Sequence, residues 1–289
     1  MFGAIIGAVV ASLSFAFADN ANGIAVQKNS TYKVAVWAVL FSSVLFFVPM
    51  LLFFGHEIEK LNLVNVLLIF GTGILVALGY LSFLTGMNKG SVTLTGVIGG
   101  AYPAMTTLTA LLFFGERLSL AQGFAIAIIL IGIALSSLEG NARSLISGIR
   151  GSALVYALGA FFLWGVYFAV VRIPIERVGW FLPQYGSNII ALPLYLFIAW
   201  RMGEKAVLSR PKLPGLIALI SVLQIVGGVA FNYAISKGDT SIVAPIAGSS
   251  PAVFVVLAYF IFKEKIKPIQ IVGIVSVIVG IIGLSILSS

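Results

Sequence analysis

Apolar side chains occupy this chain in long blocks, separated by brief clusters of polar and charged residues. A helix needs about 20 apolar residues to cross roughly 30 Å of hydrocarbon at about 1.5 Å per residue. Ten blocks meet that length, at residues 3–26, 32–54, 62–87, 92–114, 119–138, 151–172, 179–201, 214–236, 241–262 and 267–287. The pattern predicts ten transmembrane helices, joined by connections too short to hold a soluble domain. An even number of spans leaves both termini on one side. The first block contains Ala16-Phe17-Ala18, which resembles a signal-peptidase site, but no Lys or Arg precedes Lys28. A signal peptide carries a basic leading region, so this block is read as a retained helix.

Composition agrees and narrows the class. Of 289 residues 60% are hydrophobic and 9% charged, against about 45 to 50% and about 25% in soluble domains. So few charges cannot cover a soluble surface of this size. The expectation is an all-α polytopic membrane protein, multi-pass in a prokaryotic plasma membrane, with the lipid bilayer as its partner. The net charge of +8 comes from basic residues placed singly between apolar blocks, which suits lipid headgroups and carries no nucleic-acid signal. There is no cysteine, and the one histidine, His56, stands at a block end. No metal site, cofactor or enzymatic nucleophile is expected, and no phosphate-cradling loop points to ATP.

The chain also repeats itself. Shifted by 148 residues, Lys89-Gly90 meets Lys237-Gly238, Pro103-Ala104 meets Pro251-Ala252, Glu116 meets Glu264, Gln122 meets Gln270 and Gly132-Ile133 meets Gly280-Ile281. Apolar composition alone does not align Lys, Glu, Gln and Pro at one offset. The reading is two five-helix repeats, 1–148 and 149–289. An odd number of helices per repeat sends the second copy into the membrane from the opposite side, so the repeats are inverted. Inverted repeats are the architecture of alternating-access transporters, with the substrate bound where the halves meet. An uncoupled facilitator or channel, and a non-transporting membrane subunit, are the alternatives.

The stretch from Tyr102-Pro103-Ala104 to Phe113-Phe114-Gly115-Glu116-Arg117-Leu118 resembles the drug/metabolite transporter superfamily, in particular its EamA-type ten-helix members. The echo from Ser250-Pro251-Ala252 to Phe262-Lys263-Glu264-Lys265 extends the likeness over essentially the whole chain, departing at Lys263 and Lys265. The resemblance implies export or import of amino acids and other small metabolites. It also implies a central cavity formed by the first, third, fourth, sixth, eighth and ninth helices. The cargo is left open among polar or aromatic small molecules.

All 17 basic residues and eight of the nine acidic ones fall in connections or within a turn of them; the ninth acid is Asp19. A carboxylate at depth costs at least about 2.5 to 3.5 kcal/mol. Asp19 therefore either faces a cavity, as a binding or proton- or cation-coupling residue, or the first helix ends near it and leaves it hydrated. Ser12, Phe15, Asp19 and Asn22 share one helical face, and the repeat partner of Asp19 is Tyr167. Tyr80, Tyr102, Trp164, Tyr167, Gln224 and Asn232 complete the candidate substrate site, Phe231 adding to an aromatic box. Gln224 and Asn232 have a second reading as interhelical glue. Pro103 and Pro251, at equivalent positions in two helices, are candidate gates or structural bends.

Orientation is contradictory. Twelve Lys and Arg lie at the end shared by the odd-numbered connections and five at the other. The positive-inside rule then puts both termini outside the cytoplasm, whereas the family resemblance implies the reverse.

Overall fold

A computed structural model describes residues 1–90, 92–136, 152–253, 256 and 267–287. Among these residues all regular structure is helical. The echo motif residues Lys263, Glu264 and Lys265 lie outside the described residues.

The first block is one unbroken helix, α1, Phe2–Lys28. Its Ala- and Gly-rich face lets other helices come close. At Gly7 a Cβ would stand 2.9 Å from the Ala230 carbonyl oxygen. The second block is a bent pair, α2 (Thr31–Leu45) and α3 (Phe47–Ile58), meeting at 65°. Pro49, within the first turn of α3, has no amide to donate back across the junction and its ring crowds the preceding turn. Helix α4 covers Leu63–Lys89 and is started by Asn62, whose side chain accepts from the Asn65 amide.

The fourth block is broken at Ala101 into α5 (Val92–Gly100) and α6 (Tyr102–Phe113). Pro103 again removes an amide at the break. Helix α7 is Leu120–Ser136. In the second repeat α8 (Ser152–Val170) continues into α9 (Arg172–Val178), followed by α10 (Leu182–Arg201) and α11 (Pro214–Ile235). Helix α12, Thr240–Ala247, ends at Gly248, and helix resumes at 250–253. This break stands 148 residues after the one at Ala101. Helix α13 is Pro268–Leu287.

Among the described residues, five helices are long and apolar enough to cross a membrane, or six if the bent α2–α3 pair is one span. The other four blocks hold shorter or interrupted helices, or, in α10, a helix with a Gln-Ser-Asn stripe and an internal Pro193.

Contacts between the repeats are reciprocal. A Cβ on Gly132 in α7 would lie 2.8 Å from the Val277 amide of α13, and one on Gly280 in α13 would lie 2.6 Å from the Ile129 side chain of α7. Since Gly280 and Val277 are the 148-residue counterparts of Gly132 and Ile129, both contacts are one contact seen twice. The helix breaks behave likewise. A Cβ on Gly100 would touch the Pro251 ring at 3.4 Å, and one on Gly248 would collide with the Pro103 ring. The Gln122 side-chain amide donates to Leu287 O and the equivalent Gln270 side-chain amide to Ser136 O, matching donors whose acceptors differ by three residues in register. Such exchange of partners is the mark of a two-fold relation, as in an isologous dimer interface.

Two carboxylates join the repeats at the end occupied by Met1. Glu116, its side chain 5% exposed, accepts from the amides of Thr240 and Ser241 at the start of α12 and pairs with Arg172. Glu57, 2% exposed, accepts from the Leu182 amide at 2.6 Å and from that of Phe181. The first-turn amides of a helix have no partner inside it and carry partial positive charge, so each carboxylate meets both needs. At the other end the repeats are tied by Asn29 with Lys212, Lys33 with Ser209, and the Trp37 indole donating to Val207 O.

Candidate functional site

Where α1, α2, α4, α8, α10 and α11 converge on the two helix breaks, they leave a cavity of about 100 Å³. Asp19 is in its wall. Helix α1 runs through Asp19 without interruption to Lys28, so the reading in which the first helix ends near Asp19 is overturned. The carboxylate is nine residues from that helix end, about 14 Å at about 1.5 Å per residue. Among the described residues no side chain or amide donates a hydrogen bond to it, and no Lys, Arg or His lines the cavity. Tyr80 and Tyr102 share the cavity wall with it.

Five more candidates read from the sequence share this wall: Tyr80, Tyr102, Trp164, Tyr167 and Gln224. Tyr80 donates to Asn22 Oδ1 at 2.8 Å, which fixes its ring beside α1. Tyr167 points toward Gln184 Oε1 at 3.4 Å. The Trp164 indole fits because Gly79 has no side chain; a Cβ there would reach it at 2.5 Å. Tyr102 stacks on Phe168 at 4.5 Å and stands edge-on to Trp164 at 6.0 Å.

Asn232 is elsewhere. It is fully buried, donates to Trp180 O at 3.0 Å, and is absent from the cavity wall. Two helical turns beyond Gln224, it has passed the end of the cavity and ties α11 to the connection between α9 and α10. Phe231 is likewise behind the wall, its ring 4.6 Å from Phe168. Pro103 and Pro251 sit at the breaks and touch Gly248 and Gly100 across the repeat boundary; Tyr102 and Ser250, one residue before each, reach the cavity.

The structure also adds residues. Helices α2 and α10, the second and seventh blocks, line the cavity through Ser42 and through Gln184, Ser187, Asn188 and Tyr195. The α10 residues follow i, i+3, i+4 and i+11, one face of a helix, a stripe readable in the sequence. Phe168, next to Tyr167, is the centre of the aromatic cluster. Gly228 makes room for Gln184, whose amide a Cβ would overlap.

Several polar groups here are already committed. Ser42, Ser187 and Ser221 donate to carbonyls of their own helices, and Tyr195 to Ala77 O at 2.9 Å. The Tyr102 hydroxyl and the Asn188 amide nitrogen are buried without a partner. Buried polar groups are almost always paired, so these two, with the Asp19 carboxylate, are the groups that a molecule in the cavity would satisfy.

Comparison with known proteins agrees with this layout. The EamA-like transporter family matches twice, over residues 2–138 and 151–286. An uncharacterized protein of Methanocaldococcus jannaschii is 34% identical over 99 residues, which cover 34% of this chain and 72% of that protein. One solved structure shares the fold at 13% identity with a TM-score of 0.72, over 98% of this chain and 96% of its own. The two matches fall one on each repeat and together span nearly the whole sequence, and the chain belongs to the EamA-like transporter family.

Proposed function

We propose that this protein is a secondary transporter that carries a small metabolite by alternating access, with its binding site in the cavity between two inverted five-helix repeats. The observation that carries the reading is the coincidence of the cavity with the meeting point of the two helix breaks, where Gly100 packs on Pro251 and Gly248 on Pro103. In this reading all ten blocks cross the membrane, the interrupted ones included, because interrupted backbone at membrane depth is tolerated where it lines a cavity. Asp19 is the coupling residue. A lone carboxylate at that depth is neutralised by a proton or by a bound cation, and exchanging one for the other ties cargo movement to an ion gradient. The cargo contacts Asp19, Tyr102, Trp164, Tyr167, Gln224 and Asn188, while Tyr80 is held on α1 by Asn22.

The gate is the pair of breaks. Each proline leaves a carbonyl of its helix without a donor and permits a hinge. Each facing glycine gives the ring a place to seat. Rocking one repeat against the other alternately releases the carboxylate ties near Met1 and the ties around Lys212. Counterflow in proteoliposomes is the test. Saturable exchange of a labelled metabolite against excess unlabelled metabolite inside supports a carrier. Flux linear in concentration and driven by voltage alone would make the protein a channel, and no flux for any panel of amino acids, amines, sugars and nucleobases would leave it a non-transporting subunit.

A further inference from the structure

The charge balance of the cavity narrows its cargo, if the transport reading above holds. We infer that the cargo is a small organic amine that carries its positive charge without a carboxylate, and that zwitterionic amino acids are excluded. The wall contains one anion, Asp19, and among the described residues no side-chain cation. A zwitterion entering it would satisfy Asp19 with its ammonium group and bring a second carboxylate with no counterion. A buried charge without a partner is among the most unfavourable arrangements available to a protein.

Neutral donors such as the Tyr102 hydroxyl and the Asn188 amide can hydrogen-bond a carboxylate but bring no compensating charge, and the group that could supply partial positive charge is the amide-rich start of a helix. Both half-helices that begin at the cavity are poorly made for it. At α6, Pro103 has no amide, and the next amide, Ala104, already donates to Ala101 O at 3.1 Å. At the second break Pro251 has none, and Ala252 donates to Ser249 O at 3.0 Å. The nearby guanidinium of Arg172 is engaged outside the cavity by Glu116 and Glu176.

What the wall does offer suits an amine. Tyr102, Trp164, Tyr167 and Phe168 present aromatic rings, whose faces attract an ammonium group. The free Tyr102 hydroxyl and Asn188 amide suit a neutral hydrogen-bonding group on the cargo. A cavity of about 100 Å³, at about 10 to 15 Å³ for each water-sized occupant, takes a body of roughly seven to ten non-hydrogen atoms.

Leucine and leucinamide provide the decisive pair, because they have the same heavy-atom skeleton and differ in the carboxylate alone. Purified protein is titrated with each, and with 4-methylpentanamide, which lacks the amine, while thermal unfolding is followed. The expected result is stabilisation by leucinamide at a concentration at least about tenfold lower than by leucine, and none by 4-methylpentanamide. Asp19→Asn should remove the response to leucinamide, and Asp19→Glu, which restores the charge, should keep part of it. Equal or better binding of leucine, equal binding of the deaminated amide, or no response to leucinamide together with phenethylamine and isopentylamine overturns the inference. Vesicle counterflow separates it from the transport reading. Leucinamide that binds but does not move retires transport and leaves the cargo class; leucine that moves retires the cargo class and leaves transport.

Discussion

Asp19 was legible in the sequence because it is the one acid inside an apolar block, and Tyr80, Tyr102, Trp164, Tyr167 and Gln224 because polar or aromatic residues at helical spacing share its depth. Asn232 was misplaced for a physical reason: helical spacing assigns a face but not a depth, and the cavity ends before that turn. Phe168 went unread because an aromatic in an apolar block looks the same whether it meets lipid, a neighbour or a cavity; Asn188 went unread although its helical spacing with Gln184 and Ser187 was open to inspection. Asp19→Asn keeps size and hydrogen-bonding groups while removing the charge, so the expected outcome is loss of coupled transport with folding intact. If the cation and a proton compete at this site, amine binding strengthens as pH rises, until the amine itself loses its proton. The mutant should be flat over the same range, and ligand titrations at two pH values measure both; a wild-type pH response in Asp19→Asn would remove the coupling role. Glycines allow a sharper structural test. Gly132→Ala would press a methyl group onto the α13 backbone at 2.8 Å and should destabilise by about 1 to 3 kcal/mol. Gly71→Ala, with open space around it, should stay within about 1 kcal/mol of wild type. Thermal unfolding in detergent compares the two, and equal stability would contradict the close α7–α13 packing.

At the scale of elements, where the boundaries fall on described residues most blocks read from the sequence end within about four residues of a helix end, because length and hydropathy are set by the bilayer; the sixth block, read to residue 172, continues as helix to Val178. The interruptions in the fourth and ninth blocks were legible because Pro103 and Pro251 mark them; the α2–α3 bend, marked by Pro49 in the same way, was not read. Glu57 and Glu116 were counted with the loop charges, and the structure buries both beneath helix starts in the other repeat. Nothing in a single chain's local pattern says which helix start will arrive above a given carboxylate. Replacing Glu116 or Glu57 by Ala removes a charged acceptor from two amides, a loss of about 1.5 to 3 kcal/mol if the site does not refill with water. Gln in either position keeps a neutral acceptor and should lose less. The more informative readout is which face opens. The sequence has no cysteine, so a single cysteine placed at Ser250, in the cavity wall, reports entry of a water-soluble thiol reagent directly. Under the proposed alternating access, labelling from the end nearest Met1 should increase in Glu116→Ala, because a tie across that end has been cut. Unchanged labelling would reduce Glu116 to a helix cap.

For the whole molecule, the repeat was the most legible feature, since polar matches at one offset need no structural information. What the offset does not contain is how the two copies face each other. That comes from the reciprocal pairs, Gly132 with Val277 and Gly280 with Ile129, Gly100 with Pro251 and Gly248 with Pro103. In a chain of this design the two halves contact each other as two subunits would. The archaeal relative fits the idea of a free-standing half, because 99 residues amounting to 72% of it imply a protein of about 140 residues, close to one repeat. Expressed as separate polypeptides cut between Ser136 and Ser152, the halves should co-purify and recover amine binding together. Either half binding alone, or no association, would contradict a site shared between them.

The α7–α13 pairing has a consequence for the order of synthesis. Helix α7 leaves the ribosome 148 residues ahead of the helix that covers it, a delay of roughly 7 to 30 s at about 5 to 20 residues per second. Throughout that interval the Gly132 face, built to admit another backbone, is without the helix that covers it. Nascent chains halted before residue 267 should therefore cross-link through position 132 to insertion factors or to lipid, and chains released after α13 should not.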